Sequence, residues 1–282
     1  MITIRHYIIG LKYYLDKRRS IMVKQNFWQR LQKEALEIVA SEPLLASYVH
    51  ACILNHRNFD SALSFILSNK MADDVMPALA IREFFDDAFR DDPDIVIAAI
   101  ADLKAVYDRD PAVETYLTVL ANFKGYLAIQ VHRLAHHLWQ KGRKHLALFI
   151  QSRNSEVFAV DIHPAARIGK GVMFDHATGI VVGETAIIED NVSILQSVTL
   201  GGTGSESGDR HPKVREGVLI GAGAKILGNI EIGKGSKVGA GSVVLNNVPE
   251  HVTVVGVPAK VRSTCVGNPG ETMNQTDFVG IE

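Results

Sequence analysis

The stretch 220-IGAGAKILGNIEIGKGSKVGAGSVVLNNV-248 carries an aliphatic side chain at every sixth position. Two shorter series precede it with the same period, so that the three series are Ile162, Ile168 and Phe174; Val182, Ile188, Ile194 and Leu200; Ile220, Ile226, Ile232, Val238 and Val244. Six residues make one short strand and a corner, and three such sides close a triangular coil whose aliphatic side chains stack inward. Ordinary sandwich strands would repeat every second residue instead. The period predicts a left-handed parallel β-helix of hexapeptide repeats.

Before residue 158 the apolar spacing is helical. Trp28, Leu31 and Ala35 lie three or four residues apart, which places them on one helix face. Breaks such as those at Pro43 and Pro93 separate successive helices. The sequence therefore predicts an α+β chain in four parts, namely a basic N-terminal extension (1–21), an α-helical domain (22–157), a β-helical catalytic domain (158–262) and a flexible polar tail (263–282).

Composition argues against several classes of function. The formal net charge of −1 does not favour nucleic acid as a partner. Cys52 and Cys265 are far apart in sequence, so we expect no disulfide scaffold and a reducing, cytoplasmic compartment. The sequence has no apolar run of about 18 residues, so no membrane-spanning helix is expected. The first 20 residues have too short an apolar core for a signal peptide, and we expect a frayed extension or a true start at Met22.

The hexapeptide period is interrupted twice, from Phe174 to Val182 and from Leu200 to Ile220. Function often lies where a regular scaffold is broken. The first interruption contains Asp175 and His176, and the second contains the run Asp209-Arg210-His211-Pro212.

His176 is the candidate general base, because imidazole exchanges a proton near neutral pH. Counting along the coil places Asp161 one coil away at nearly the same azimuth, so an orienting Asp–His contact is expected. The alternative is that Asp161 only caps the first coil and that His176 is an ordinary loop residue. Arg210 is a candidate for binding a carboxylate in two-pronged fashion, and the alternative is a solvated surface charge.

Two further groups are not selected by their residues alone. Asp110 before Pro111 is typical of an ordinary helix start. His132 and His136 have the helical spacing of a metal-binding pair, but Arg133 stands where the zinc protease motif has glutamate. We therefore expect surface or interface histidines there.

Taken together, five segments resemble the serine acetyltransferases of cysteine biosynthesis over about residues 22 to 262. The segments are 109-RDPAVETY-116, 161-DIHPAARIGKGVMFDHATGIVVGETA-186, 192-VSILQSVTLGGTG-204, 209-DRHPKVREGVLIGAGAKILGNIEIG-233 and 256-GVPAKV-261. The resemblance implies transfer of the acetyl group of acetyl-CoA to the hydroxyl of L-serine, which gives O-acetyl-L-serine and CoA as the first step of cysteine biosynthesis.

The resemblance also implies roles for single residues. His176 would be the catalytic base and Asp161 its orienting partner. The implied substrate-binding residues are Asp110, Asp175, Arg210 and His211, with the two carboxylates near the serine ammonium and Arg210 at the carboxylate. The implied CoA-binding residues are Gly202, Thr203, Ala222, Ala240 and Lys260. No metal is expected, because a thioester is already activated.

The family resemblance further implies an assembly and a regulation. The β-helices would form trimers with active sites between neighbouring prisms, and the helical domains would pair trimers into hexamers. L-Cysteine would inhibit at the serine site. Many members dock O-acetylserine sulfhydrylase through a C-terminal isoleucine carboxylate, whereas here Glu282 follows Ile281. The terminal chemistry does not suit the usual dock, so a complex with O-acetylserine sulfhydrylase through the tail stays a hypothesis.

Three other interpretations stay open from the sequence. A different hexapeptide acyltransferase would act on a sugar or drug hydroxyl. A zinc lyase of the β-helical carbonic anhydrase type would need three converging histidines, and the predicted prism contains only His163, His176, His211 and His251. A non-catalytic scaffold would need no base at all.

Overall fold

The computed structural model describes residues 24–204 and 207–275 of the chain. The predicted extension over residues 1–21 and the possible start at Met22 lie outside the described residues, as do residues 276–282. Contacts divide the chain into two compact units, residues 1–66 and 67–282. None of the helices within the described residues is long and apolar enough to cross a membrane.

The described part of the first unit, residues 24–66, is mainly helical. It contains helix α1 (24–41), a 3-10 turn (Pro43–Leu45), α2 (Ala46–Val49), a π-helical turn (His50–Leu54) and the start of α3 (Phe59–Met71). The predicted apolar face of α1 is confirmed, since Trp28, Leu31 and Ala35 are buried. The rings of Phe27 and Phe59 meet edge to face with their centroids 5.3 Å apart, which is a favoured aromatic geometry.

The second unit begins with five more helices. They are α4 (Ala78–Asp91), α5 (Asp94–Arg109), α6 (Tyr116–Asn122), α7 (Lys124–Gln140) and α8 (Lys144–Phe158). Pro77 and Pro93 precede α4 and α5, where the missing N–H of proline costs no helical hydrogen bond. The Thr115 hydroxyl caps α6 by accepting from the Thr118 N–H at 3.1 Å. Helix α8 ends at Phe158, and the first strand begins at Val160.

Three parallel sheets then form the three faces of a prism of about five coils. Face A contains β1 (Val160–Ile162), β4 (Ile180–Val182), β7 (Thr199–Gly201), β10 (Lys225–Leu227) and β13 (Val243–Val244). Face B contains β2 (Arg167–Ile168), β5 (Ile187–Ile188), β8 (Lys213–Val214) and β11 (Glu231–Ile232). Face C contains β3 (Met173–Asp175), β6 (Ser193–Leu195), β9 (Leu219–Ile220), β12 (Lys237–Val238) and β14 (Val252–Gly256), with β15 (Ala259–Thr264) added antiparallel at its edge.

The sixth-position side chains stack inside the prism as predicted. On face A, Ile162 is in register with Val182, Val182 with Leu200, Leu200 with Ile226, and Ile226 with Val244. All five are buried, so each coil covers the aliphatic side chain of the coil before it. The predicted parallel β-helix is confirmed.

The second interruption of the period ends earlier than predicted. Val214 is fully buried and is in register with Ile188 on one side and Ile232 on the other. The inserted loop therefore lies between Leu200 and Val214, and the expected interruption up to Ile220 is wrong. Val214 belongs to a single hexad that directly follows a polar loop, so it does not stand out as part of a series.

The described part of the predicted tail, residues 263–275, contains regular structure. Residues 263 and 264 end β15, and a short helix follows, α9 (Pro269–Thr272). The Gly270 N–H donates to the Gly217 carbonyl at 2.8 Å. A Cβ atom at Gly270 would lie 2.5 Å from the carbonyl oxygen of Val218, so only glycine allows this approach. The polar composition of the tail gave no sign of this backbone contact.

A buried ion pair joins the helices to the first coil. Asp102 of α5 is fully buried and accepts from Arg133 of α7 at 2.6 Å, from Gln130 at 3.0 Å and from the Val172 N–H at 3.0 Å. Arg133 also donates to the carbonyls of Ile168 at 3.2 Å and Gly169 at 2.6 Å. Both charges are thus surrounded by hydrogen bonds, which is the condition under which a buried pair is tolerated.

Replacing Asp102 by asparagine is expected to lower the free energy of unfolding by about 3–5 kcal/mol, because the largely buried Arg133 loses its counter-charge. Urea denaturation measures the change. The matched control is Asp87→Asn, which removes an exposed ion pair to Arg90 and should cost less than about 1 kcal/mol. Equal, small losses for the two variants would contradict the role given to Asp102.

Candidate active site

The first interruption forms a corner between faces C and A that exposes an imidazole. His176 and Ala177 have φ angles of 54° and 60°, in the left-handed region that non-glycine residues rarely adopt. The Ala177 side chain is buried, and the Thr178 N–H donates to the His176 carbonyl at 2.8 Å. The His176 side chain is 77% exposed. Strained backbone of this kind often occurs at functional sites, and here it directs a titratable ring outward.

Two carboxylates lie beside this corner. Asp175 Oδ1 is 3.9 Å from His176 Nε2. Burial raises the pKa of Asp175, His176 opposes that shift, and the charge of Asp110 adds to it. Asp110 follows α5 and accepts the Ala112 N–H at 2.9 Å. Asp110, Asp175 and His176 are therefore brought together, although Asp110 could not be selected from its own sequence context.

Asp161 lies in the middle of β1 and is in register with Val181. The expectation that Asp161 and His176 share an azimuth one coil apart is wrong, because a coil needs three sides before it returns to the same face. Among the described residues, no hydrogen bond or ion pair joins the two, and Asp161 accepts from Gln151 Nε2 at 2.7 Å. The His176 corner does run past the start of β1, where the Gly179 N–H donates to the Ala159 carbonyl at 2.8 Å.

The second interruption places Arg210 and His211 at the corner between faces A and B. Arg210 Nη2 donates to Glu184 at 2.8 Å, so this guanidinium is paired rather than a solvated surface charge. The backbone N–H groups of Arg210 and His211 both donate to Thr185 Oγ1, at 3.0 and 3.1 Å. The His211 ring is buried and lies so close to Gly183 that a Cβ atom there would overlap it.

The electrostatics of this second corner favour a neutral imidazole beside a fixed cation. Burial lowers the pKa of His211, and the charge of Arg210 adds to that effect. Burial also lowers the pKa of His163, which interacts with Glu184, Asp161 and Arg210. Glu184, Thr185 and His163 were not selected from the sequence. The polar Gly-Glu-Thr run after Val182 was the available signal for the first two.

Within one chain the two corners stay apart. Strand β4, Ile180–Val182, runs from the His176 corner to the Arg210 corner, and three extended residues span about 10 Å. The backbone of the two corners is therefore separated by the width of face A. The chain thus presents two separate groups along the edges of face A, one with Asp110, Asp175 and His176 and one with Arg210 and His211.

The predicted CoA-binding residues divide between the same two edges. Ala222 and Ala240 stack on the His176 edge, where the Gly241 N–H donates to the Ala222 carbonyl at 2.8 Å. Gly202 and Thr203 begin the inserted loop on the Arg210 edge. Lys260 is exposed on β15. The small residues on both edges leave the backbone of the prism accessible.

The histidines of α7 differ from the prediction. His132 is buried, and burial holds its pKa well below the usual range. His136 Nδ1 lies 2.8 Å from the Pro164 carbonyl, so these residues face the prism rather than solvent. Within residues 24–204 and 207–275, no group of three or more histidine, cysteine, aspartate or glutamate side chains is arranged to hold a metal ion.

Comparison with known proteins gives two family matches. Residues 27–131 match the model "Serine acetyltransferase, N-terminal", and residues 211–246 match the model "Bacterial transferase hexapeptide (six repeats)". The serine acetyltransferase of Salmonella typhimurium is 58% identical over 251 residues, which cover 89% of this chain and 90% of that protein. The serine acetyltransferase of Haemophilus influenzae is 57% identical over 256 residues, covering 90% and 96% of the two chains.

Solved structures of similar proteins contain bound small molecules. A serine acetyltransferase in complex with cysteine has a TM-score of 0.88 at 57% identity, covering 89% of this chain and 98% of that one. The Brucella abortus serine acetyltransferase in complex with coenzyme A has a TM-score of 0.84 at 49% identity, covering 86% and 96%. The soybean serine acetyltransferase complexed with serine has a TM-score of 0.83 at 55% identity, covering 85% and 98%.

Proposed function

This chain belongs to the serine acetyltransferase family and is thus an acyltransferase, and from this premise we propose that His176 is the general base in the acetylation of L-serine by acetyl-CoA. The substrates are L-serine and acetyl-CoA, and the products are O-acetyl-L-serine and CoA. The observation that carries the proposal is the His176 corner, where a strained loop exposes an imidazole beside two carboxylates.

In the proposed reaction, His176 accepts the proton of the serine hydroxyl as that oxygen attacks the thioester carbonyl carbon. The tetrahedral intermediate then collapses, the C–S bond breaks, and the CoA thiolate leaves. The His176 imidazolium returns the proton to this thiolate, so the base is regenerated. Asp161 is proposed to orient the imidazole. Two observations support this role: the His176 corner runs past the start of β1, which carries Asp161, and Gln151 donates to only one of the two carboxylate oxygens of Asp161.

The substrate is a zwitterion, and the two groups of residues suit its two ends. Asp110 and Asp175 repel one another, and a serine ammonium between them relieves that repulsion. Arg210 with His211 suits the carboxylate, since a guanidinium binds carboxylates through two parallel hydrogen bonds. Glu184 pairs with Arg210 at 2.8 Å and so holds its guanidinium in place.

A complete site is proposed to form between two protomers. The two groups lie at opposite edges of face A in one chain, whereas a neighbouring prism in a trimer can bring its Arg210 edge to the His176 edge. Acetyl-CoA would lie along the same seam, against Ala222 and Ala240 of one protomer and Gly202 and Thr203 of the other, with Lys260 near its phosphates. Pairing of trimers through the helices would complete a hexamer.

L-Cysteine is proposed as a competitive inhibitor at the serine position. Its ammonium and carboxylate match those of serine, and its thiol replaces the hydroxyl. The cysteine complex of a similar enzyme supports this proposal. Docking of O-acetylserine sulfhydrylase would involve residues 276–282, which lie outside the described residues.

The affinity for serine is expected to fall as the pH falls through the raised pKa of Asp175. Only the ionised carboxylate pairs with the ammonium, and burial makes Asp175 take up its proton at a higher pH than an exposed aspartate. Titration calorimetry of L-serine binding across acidic pH measures the effect.

Asp175→Asn should bind about tenfold more weakly at neutral pH and lose this pH dependence. The matched control Asp209→Asn should keep the wild-type profile, because Asp209 pairs with Lys213 on the loop. An unchanged profile in Asp175→Asn contradicts the assignment.

Sharing of the site between protomers predicts complementation. His176→Ala and Arg210→Ala are each expected to be nearly inactive, and co-assembled mixtures should regain about a quarter of wild-type activity, because some seams combine an intact His176 with an intact Arg210. His176→Ala mixed with His176→Asn is the control, since no seam of that mixture contains an intact His176. The proposal fails if the first mixture stays as inactive as the control.

A further inference from the structure

We propose that Arg109 is a positioning residue that holds Asp110 at the serine ammonium, and that the segment around Gly270 fixes the position of Arg109. The inference rests on the proposed function, because it assigns a task to the residue that precedes Asp110. The contacts concerned link the segment that follows β15, by way of a residue on face C of the prism, to the proposed substrate site.

Arg109 is the last residue of α5 and is anchored on face C. Its Nη1 donates to Ser193 Oγ at 3.0 Å, and its Nη2 donates to Asn191 Oδ1 at 3.4 Å. The charge of Glu271 in α9 also acts favourably on the guanidinium. A cation at the C-terminus of a helix is stabilised by the helix dipole, so this position suits an arginine in two ways.

Ser193 connects Arg109 to the tail. Its side chain is fully buried, and its hydroxyl donates to the Gly270 carbonyl. A hydroxyl has one proton, so donation to Gly270 leaves the oxygen lone pairs free to accept from Arg109. Gly270 can occupy this place only because it has no Cβ, which would lie 2.6 Å from the carbonyl oxygen of Asn191. The seated tail therefore sets the direction of the hydroxyl that holds Arg109.

Asp110 needs such an anchor because the carboxylate of Asp175 repels it. The charge of Asp110 raises the pKa of Asp175, so the two carboxylates lie within range of mutual repulsion. The Asp110 N–H donates to the Val106 carbonyl at 3.0 Å, at the point where the chain leaves α5. With the guanidinium of Arg109 fixed to Ser193 and Asn191, the helix end cannot move away, and Asp110 stays opposite Asp175.

The test compares steady-state kinetics of wild type, Arg109→Lys, Gly270→Ala and Asp110→Asn. Lysine keeps the charge but cannot donate to both Ser193 and Asn191, and alanine at position 270 pushes the tail off its seat. Both variants should raise the KM for serine about tenfold, as is also expected of Asp110→Asn, while the KM for acetyl-CoA changes less than about twofold. Lys104→Ala, on the exposed side of α5, is the control and should leave both constants unchanged.

The outcomes separate this inference from the proposed function. No serine-dependent release of CoA by the wild-type protein would defeat both. Activity in the wild type, with a raised serine KM in Asp110→Asn but not in Arg109→Lys and Gly270→Ala, would overturn the inference alone. Equal changes in the two KM values, or a lower unfolding temperature with unchanged kinetics, would reduce Arg109 to a structural residue and also overturn it.

Discussion

The ion pair between Asp102 and Arg133 is the constraint on which the geometry of the candidate site depends. It fixes α5 and α7 against the first coil through the Val172 N–H and the carbonyls of Ile168 and Gly169. Because α5 ends at Arg109, this same contact determines where Asp110 lies relative to Asp175. A buried pair of charges adds little net stability over apolar packing. Its two charges are satisfied in only one arrangement of the helices and the first coil, however, and the site requires that arrangement.

The prism is the second constraint, and the candidate functional residues lie at its corners. Every side of a coil places an apolar residue inward, so inner positions are restricted to apolar side chains. Corner positions carry no such requirement, so extra residues can be inserted there while the stack of inner side chains continues in the coils on either side. Both insertions, after Asp175 and after Gly201, lie at edges of face A. In the proposed trimer, the two polar groups on opposite edges of one face would become a single site when a second prism lies beside the first.

Periodicity predicted the features that repeat and missed those that occur once. The β-helix, the helical first half and the interruption at His176 followed from spacing, because many stacked side chains share one rule. Val214 was missed because its hexad stands alone between a loop and the next series. The burial of His132 was missed because it depends on packing between distant segments. The azimuth of His176 was wrong because the count from Asp161 took two sides of the prism for a full coil of three. The roles of Asp110 and of the CoA-binding residues came from family resemblance, as neither spacing nor composition distinguishes them.

The central claim is that His176 removes the proton of the serine hydroxyl. The most direct measurement is the release of CoA thiol from acetyl-CoA with and without L-serine, for wild type and for His176→Ala. The account predicts serine-dependent release that forms O-acetylserine, reduced roughly a hundredfold or more in a variant that unfolds at the wild-type temperature. Release that does not depend on serine, or a folded His176→Ala variant as active as wild type, would contradict it.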